Sequence, residues 1–151
     1  MYRRILLPLD GSNRGKQALS HAIAHAKEFG AELVVLKALP SGPITQGLDD
    51  NTRQWAKKYT TSMAREHLEK VAAALEQHGI VVHTSTVEDN SPARIVQSAK
   101  ENAVDLIVMP TGKPAGLARW FGNSPADRVA RETTIPVLLV QDSDTGENNA
   151  R

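Results

Sequence analysis

The residues best suited to chemistry lie between 111 and 124. Thr111-Gly112-Lys113-Pro114-Ala115-Gly116-Leu117-Ala118-Arg119 is the densest glycine and basic cluster in the chain, and it leads to Ser124 and Pro125. Glycine lets a backbone approach a ligand closely. A helix opening at Ser124 would add unpaired N–H groups and the positive end of its dipole. Lys113 and Arg119 add charge, and no Asp, Glu or His lies within 110–124. These residue types suit a cradle for an anion or a phosphate. They equally suit a surface loop whose glycines only serve turns, and loop chemistry alone does not choose. Asp10 follows the first apolar run directly. It could accept a hydrogen bond from a ribose hydroxyl or an adenine-side group, or it could form an Asx turn or cap before the next helix.

Other chemistries are excluded by pattern. Gly112-Lys113 is followed by Pro114, and no glycine stands five residues before Gly112, so there is no phosphate-binding P-loop. No G-x-G-x-x-G follows the first strand, which removes the dinucleotide fingerprint. A phospho-acceptor receiver would want clustered acids where Asp10 stands alone, and a lysine where Gln141 stands. The chain has no cysteine, so thiolate metal sites and cysteine nucleophiles are absent. His21 and His25 are four apart, but no carboxylate completes a ligand set, and the pair reads as a solvated face. No histidine lies near Ser12 or Ser124 in sequence order, so a Ser-His-Asp triad is not expected. The expectation is no catalytic residue and no metal site.

Positioning these residues takes alternating elements. Apolar runs at 5–9, 32–39, 80–87, 104–109 and 135–140 read as strands. Helical spacing covers 14–29, 52–78, 92–102 and a last helix from Ser124-Pro125. Ser91-Pro92 and Ser124-Pro125 both set a capping serine before a first-turn proline. Trp55, Tyr59 and Met63 form a stripe on the long helix, suited to a core or an interface. Residues 110–122 read as a loop. The 151 residues thus give one domain over 1–141, with 142–151 a polar disordered tail. Strand–helix alternation argues for a parallel sheet covered on both faces, a three-layer α/β/α sandwich. Its ligand site would lie beyond the carboxyl ends of the first and fourth strands, where the winding reverses.

Charge bounds the partners. Eighteen basic and 17 acidic residues leave a net charge of +1, which offers no general field for nucleic acid. No apolar run approaches the ~20 residues of a membrane span, and the amino end lacks a cleavage pattern, so a cytoplasmic protein is expected.

The strand Ile5-Leu6-Leu7-Pro8-Leu9-Asp10-Gly11-Ser12 resembles the opening of the universal stress protein family, I-L-V-P-x-D-G-S. Gly30-Ala31-Glu32-Leu33, Asp105-Leu106-Ile107-Val108-Met109, Ala126-Asp127-Arg128-Val129 and Ile135-Pro136-Val137-Leu138-Leu139-Val140 are similar to later family segments, in the family's order. The resemblance implies a five-stranded sheet of order 3-2-1-4-5 and a stress-response sensor or binding module. It also implies a homodimer through the edge strand 135–140. Many members bind ATP through G-x2-G-x9-G-[ST] after the fourth strand. Here those positions hold Pro110, Lys113, Asn123 and Ser124, so only the last is kept. The cofactor implied is ATP or AMP, with magnesium only beside ATP. The candidate binding residues are Pro8, Leu9, Asp10, Ala38, Met109, Thr111, Gly112, Lys113, Gly116, Asn123 and Ser124. Adenine would lie near Leu9, Asp10 and Ala38, and phosphates along 111–116 and at Asn123 and Ser124. Asp10 would bond the nucleoside, Ser124 would donate to phosphate, and Lys113 would neutralise it. A weak ATPase and a ligand-free protein-interaction dimer are the alternatives.

Overall fold

Four consecutive buried residues, Ile5 to Pro8, make β1 (Arg4–Leu9) the centre of the sheet. A strand that is apolar on both sides must be covered on both faces, which is the signature of a parallel sheet. The computed structural model describes residues 1–9, 15–39, 46–89, 91–111 and 124–141. Its remaining elements are α1 (Gly15–Phe29), β2 (Glu32–Ala38), α2 (Asp50–Glu76), β3 (Val82–Val87), α3 (Pro92–Glu101), β4 (Leu106–Thr111), α4 (Pro125–Glu132) and β5 (Val137–Gln141). The strands form one sheet of order β3-β2-β1-β4-β5, every pair parallel.

Side-chain alternation splits the core in two. Ile5, Leu7, Leu33, Val35, Leu106 and Val108 face α1 and α2, packing on Ala18, Ala22, Ala26, Leu68 and Leu75. Leu6, Val34, Leu36, Ile107 and Met109 face α3 and α4, packing on Ile95, Val96, Ala99, Ala126 and Val129. Three alanines at i, i+4, i+8 on α1 leave room for the helix to lie close over the sheet. Gly30, at φ 63°, turns the chain out of α1 in the left-handed region that glycine adopts without strain. The core therefore has two independent slabs, and the winding reverses between β1 and β4.

Several boundaries differ from the sequence reading; the third strand, for example, begins at Val82 rather than at residue 80. The fourth strand runs 106–111 rather than 104–109, so Pro110 and Thr111 belong to the sheet and not to a loop. The fifth begins at Val137, because Pro136 has no N–H to give a ladder. The long helix opens at Asp50, since Asp49 is its N-cap and accepts the Thr52 N–H at 2.9 Å.

The core reading of the Trp55, Tyr59 and Met63 stripe is overturned. These side chains are 65%, 53% and 53% exposed. They lie on the opposite face of α2 from buried Ala64, Leu68, Ala72 and Leu75. Residues 50–63, about 20 Å of helix at 1.5 Å per residue, hold no buried position.

Candidate functional site

The seam between β1 and β4 is the least paired in the sheet. Its register covers only Ile5↔Leu106 and Leu6↔Ile107, whereas β1–β2 and β2–β3 each run six residues and β4–β5 runs five. The cause is written in two prolines. In a parallel strand, alternate residues turn their N–H and C=O to opposite neighbours. The Arg3 carbonyl accepts from Glu32 N–H on β2, and the Arg4 carbonyl accepts from Asp105 N–H toward β4. Even-numbered residues of β1 therefore face β4, and the next donor after Leu6 would be residue 8, a proline. On β4, Ile107 N–H goes to the Pro136 carbonyl on the β5 side, so Pro110 faces β1. Both missing N–H groups fall on the same seam. The ladder stops there, leaving the carboxyl end of the seam open in its hydrogen bonding, while the outer pairings run on to Leu9 and Thr111.

This opening gathers part of the expected site. Pro8 is buried at the end of β1 and Met109 at the end of β4, with Ala38 and Thr111 half-buried beside them. By alternation with Val34, Leu36, Ile107 and Met109, the side chains of Pro8, Ala38 and Thr111 take the α3/α4 face. Ser124, the N-cap of α4, completes that side. Leu9 goes to the other face, against α1, where a Cβ on Gly15 would meet its Cδ2 at 3.8 Å. Asp10, Gly112, Lys113, Gly116, Arg119 and Asn123 lie outside the described residues.

The α4 end carries a group that the sequence reading did not single out. The Ser124 hydroxyl accepts the Asp127 N–H at 3.1 Å and donates to the Asp127 carboxylate at 2.7 Å. The serine caps the helix, and the carboxylate takes the serine's hydroxyl proton rather than its backbone N–H, so this is half of a capping box; the S-x-x-D spacing was the available signal. It stabilises the first turn of an eight-residue helix and engages the hydroxyl expected to meet phosphate.

The opposite edge of the sheet holds a separate ionic group. Glu32 accepts from His83 Nε2 at 2.9 Å and from Arg4 Nε and Nη2 at 3.1 and 2.9 Å. The His83 hydrogen bond, then the Arg4 hydrogen bonds, hold the Glu32 carboxyl below its ordinary value. Asp105 accepts the Arg3 N–H at 2.9 Å and the Arg4 N–H at 3.1 Å, tying β1 to β4. These groups stand at the amino ends of the strands, away from the seam opening, and serve sheet registration. His21 is exposed and His25 half-buried. Among the described residues no group of three or more metal-ligating side chains converges, and no helix is long and apolar enough to cross a membrane.

Known proteins share this arrangement. The family model described as the universal stress protein family matches residues 1–141. Universal stress protein MJ0531 of Methanocaldococcus jannaschii is 33% identical over 141 residues, covering 93% of this chain and 83% of the relative. Two solved structures share the fold. A universal stress protein in complex with cAMP has a TM-score of 0.64 at 21% identity, over 94% of this chain and 98% of its own. A universal stress protein from Archaeoglobus fulgidus in complex with dAMP has a TM-score of 0.58 at 22% identity, over 91% and 97%. With the strand order, the open β1–β4 seam and a match spanning all five strands, the chain belongs to the universal stress protein family.

Proposed function

We propose that this chain is an adenine-nucleotide-binding module whose ligand sits at the carboxyl end of the β1–β4 seam. The observation that carries the reading is the two-residue ladder at the winding reversal, flanked by Pro8, Ala38, Met109 and Thr111. Two fold neighbours hold adenine monophosphates, cAMP and dAMP, which supports adenine as the base. The nucleoside would lie against Pro8 and Ala38, with Asp10 bonding ribose. ATP or AMP is the expected ligand class, and magnesium would accompany ATP only. Calorimetric titration with AMP and ATP tests the reading directly. Saturable heat that Ala38→Trp removes, with the fold retained by circular dichroism, is the expected result. No heat at millimolar nucleotide sinks it.

A binding module fits better than an enzyme, because turnover needs a base or metal ligand beside the phosphates and 110–124 contains no Asp, Glu or His. Steady ATP hydrolysis that Asp10→Ala abolishes would reverse that choice. We further propose a cytoplasmic stress-response role and a homodimer through β5. Val137, Leu138 and Leu139 of β5 stay half-exposed at an open sheet edge, where apolar strands invite pairing. Light scattering at micromolar concentration should give twice the chain mass of 16.4 kDa. A monomeric mass contradicts the dimer.

A further inference from the structure

We propose that the exposed half of α2 docks the acidic, amphipathic helix of a partner protein, whether or not a nucleotide is bound. Charge is the first sign. Residues 51–65 hold four of the chain's 18 basic residues, Arg53, Lys57, Lys58 and Arg65, and none of its 17 acidic ones. The turns on either side pair their cations: Arg53 meets Asp50 at 3.4 Å and Lys70 meets Glu66 at 3.1 Å. Lys57, Lys58 and Arg65 are exposed and have no acidic partner among the described residues.

Apolar surface is the second sign. Trp55, Tyr59 and Met63 stand at i, i+4 and i+8, opposite the buried Ala64, Leu68 and Leu75. The Trp55 and Tyr59 rings stack with centroids 5.3 Å apart and planes 9° from parallel, so they offer one continuous surface. Lys58, Ser62 and Arg65, at i, i+4 and i+7, form the adjoining row. On that side a cleft of about 410 Å³ is lined, among the described residues, by Gln54, Lys57, Lys58, Thr61, Ser62 and Arg65. Thr52, Ala56 and Thr60 border the apolar row on its other side and carry no charge. Positive charge therefore flanks the apolar row on one side only.

This layout suits one kind of occupant. Trp55 to Met63 spans about 12 Å, which matches an apolar ridge of two to three turns on a partner helix. Lys58 and Arg65, about 10 Å apart along the axis, call for carboxylates two turns apart on one flank of that ridge. A second copy of this face brings four more cations and no acid, so it does not complement the first. A lipid surface needs an apolar row that stays apolar, and Glu66 stands in line with it three residues beyond Met63. Bases of a nucleic acid would stack on open ring faces, and Trp55 and Tyr59 each give one face to the other.

Nitrogen-15 NMR of the full chain tests this with a synthetic helical peptide of about 18 residues, carrying Leu at i, i+4 and i+8, Glu along one flank and neutral residues elsewhere. Shifts at 54–66 that saturate below about 1 mM peptide are the expected result. The same peptide with Lys for Glu should bind at least about tenfold more weakly. Lys58→Glu combined with Arg65→Glu should reverse that preference, and Trp55→Ala should weaken the Glu peptide at least about fivefold. No shifts with the Glu peptide, equal binding of both peptides, or no reversal in the charge-swapped variant overturns the proposal. Vesicles of phosphatidylcholine and phosphatidylglycerol, or an oligouridylate, that move the same resonances at lower concentration than the Glu peptide also overturn it, and give the face to lipid or to nucleic acid. A light-scattering mass that Trp55→Ala halves overturns it in favour of a second copy.

Discussion

The long helix offers a test in which one element carries two opposite expectations. Leu68 is 2% exposed and packs with Leu75 and Ile80 under β2 and β3, whereas Trp55, three turns and more earlier, is 65% exposed. Truncating Leu68 to Ala removes a buried isobutyl group and leaves a cavity, at a cost of roughly 3 kcal/mol within a ~2–5 range. That is a large part of a total stability of about 5–15 kcal/mol. It should lower the melting temperature by roughly 6–12 °C at about 2–4 °C per kcal/mol. Truncating Trp55 removes a larger side chain, yet it should change stability by no more than about 0.5 kcal/mol, since only its stacking on Tyr59 is lost. Alanine's better helix propensity returns a few tenths of that. Urea unfolding followed by far-ultraviolet circular dichroism measures both variants without depending on tryptophan emission. A Trp55→Ala cost above about 1.5 kcal/mol would mean that residues 50–63 pack on something within the monomer, and the reading of that half-helix as exposed would fail.

Other perturbations probe the caps and the ionic edge. Ser124→Ala removes both partners of the Asp127 box, so it should cost about 1 kcal/mol and raise hydrogen exchange at 126–128; unchanged exchange there contradicts the cap. Asp49→Ala should fray the first turn of α2 in the same way, seen as lost protection at Thr52 and Arg53 while residues 64–76 stay protected. Glu32 titrates below its ordinary value because His83 and Arg4 bond its charged form, so its contribution is present above the unfolded glutamate value and fades as pH falls through the depressed folded value. Glu32→Gln should therefore destabilise the chain at neutral pH and converge with wild type in acid. A stability gap that persists unchanged to pH 3 disproves the ion-pair account. Asp89 is also held low, by its hydrogen bonds from Ser91, and Asp89→Asn should show the same acid convergence in denaturant midpoints.

The alternation of strands and helices was legible because it follows from patterns that repeat, whereas the sheet order came from the resemblance to the family. Five apolar runs alternated with helical spacing, and Ser-Pro starts marked two helices at the residues where α3 and α4 begin. The β4 boundary was not legible for a reason that also bears on the site. Proline usually argues against a strand interior, so Pro110 read as the start of a loop. Whether a proline breaks a strand depends on which neighbour its nitrogen faces, and that is set by register, a long-range property. Here the nitrogen faces β1, where Pro8 already ends the pairing, so the strand runs on to Thr111 beside β5 with no bond lost on the β5 side. The exposed stripe on α2 was misplaced for a local reason: Met63 and Leu68 are five apart, which breaks the helical spacing and puts Trp55, Tyr59 and Met63 on the far side of the helix from the buried leucines. The Ser124 cap was local and is read correctly from Ser-Pro; its Asp127 partner was equally readable from the S-x-x-D spacing, but the cap reading stopped at the serine. Across these cases, local signals fixed which elements form, while the direction of each polar group across the seam needed the register. The same register makes Pro8, read in a strand, and Pro110, read in a loop, end the pairing on one and the same seam.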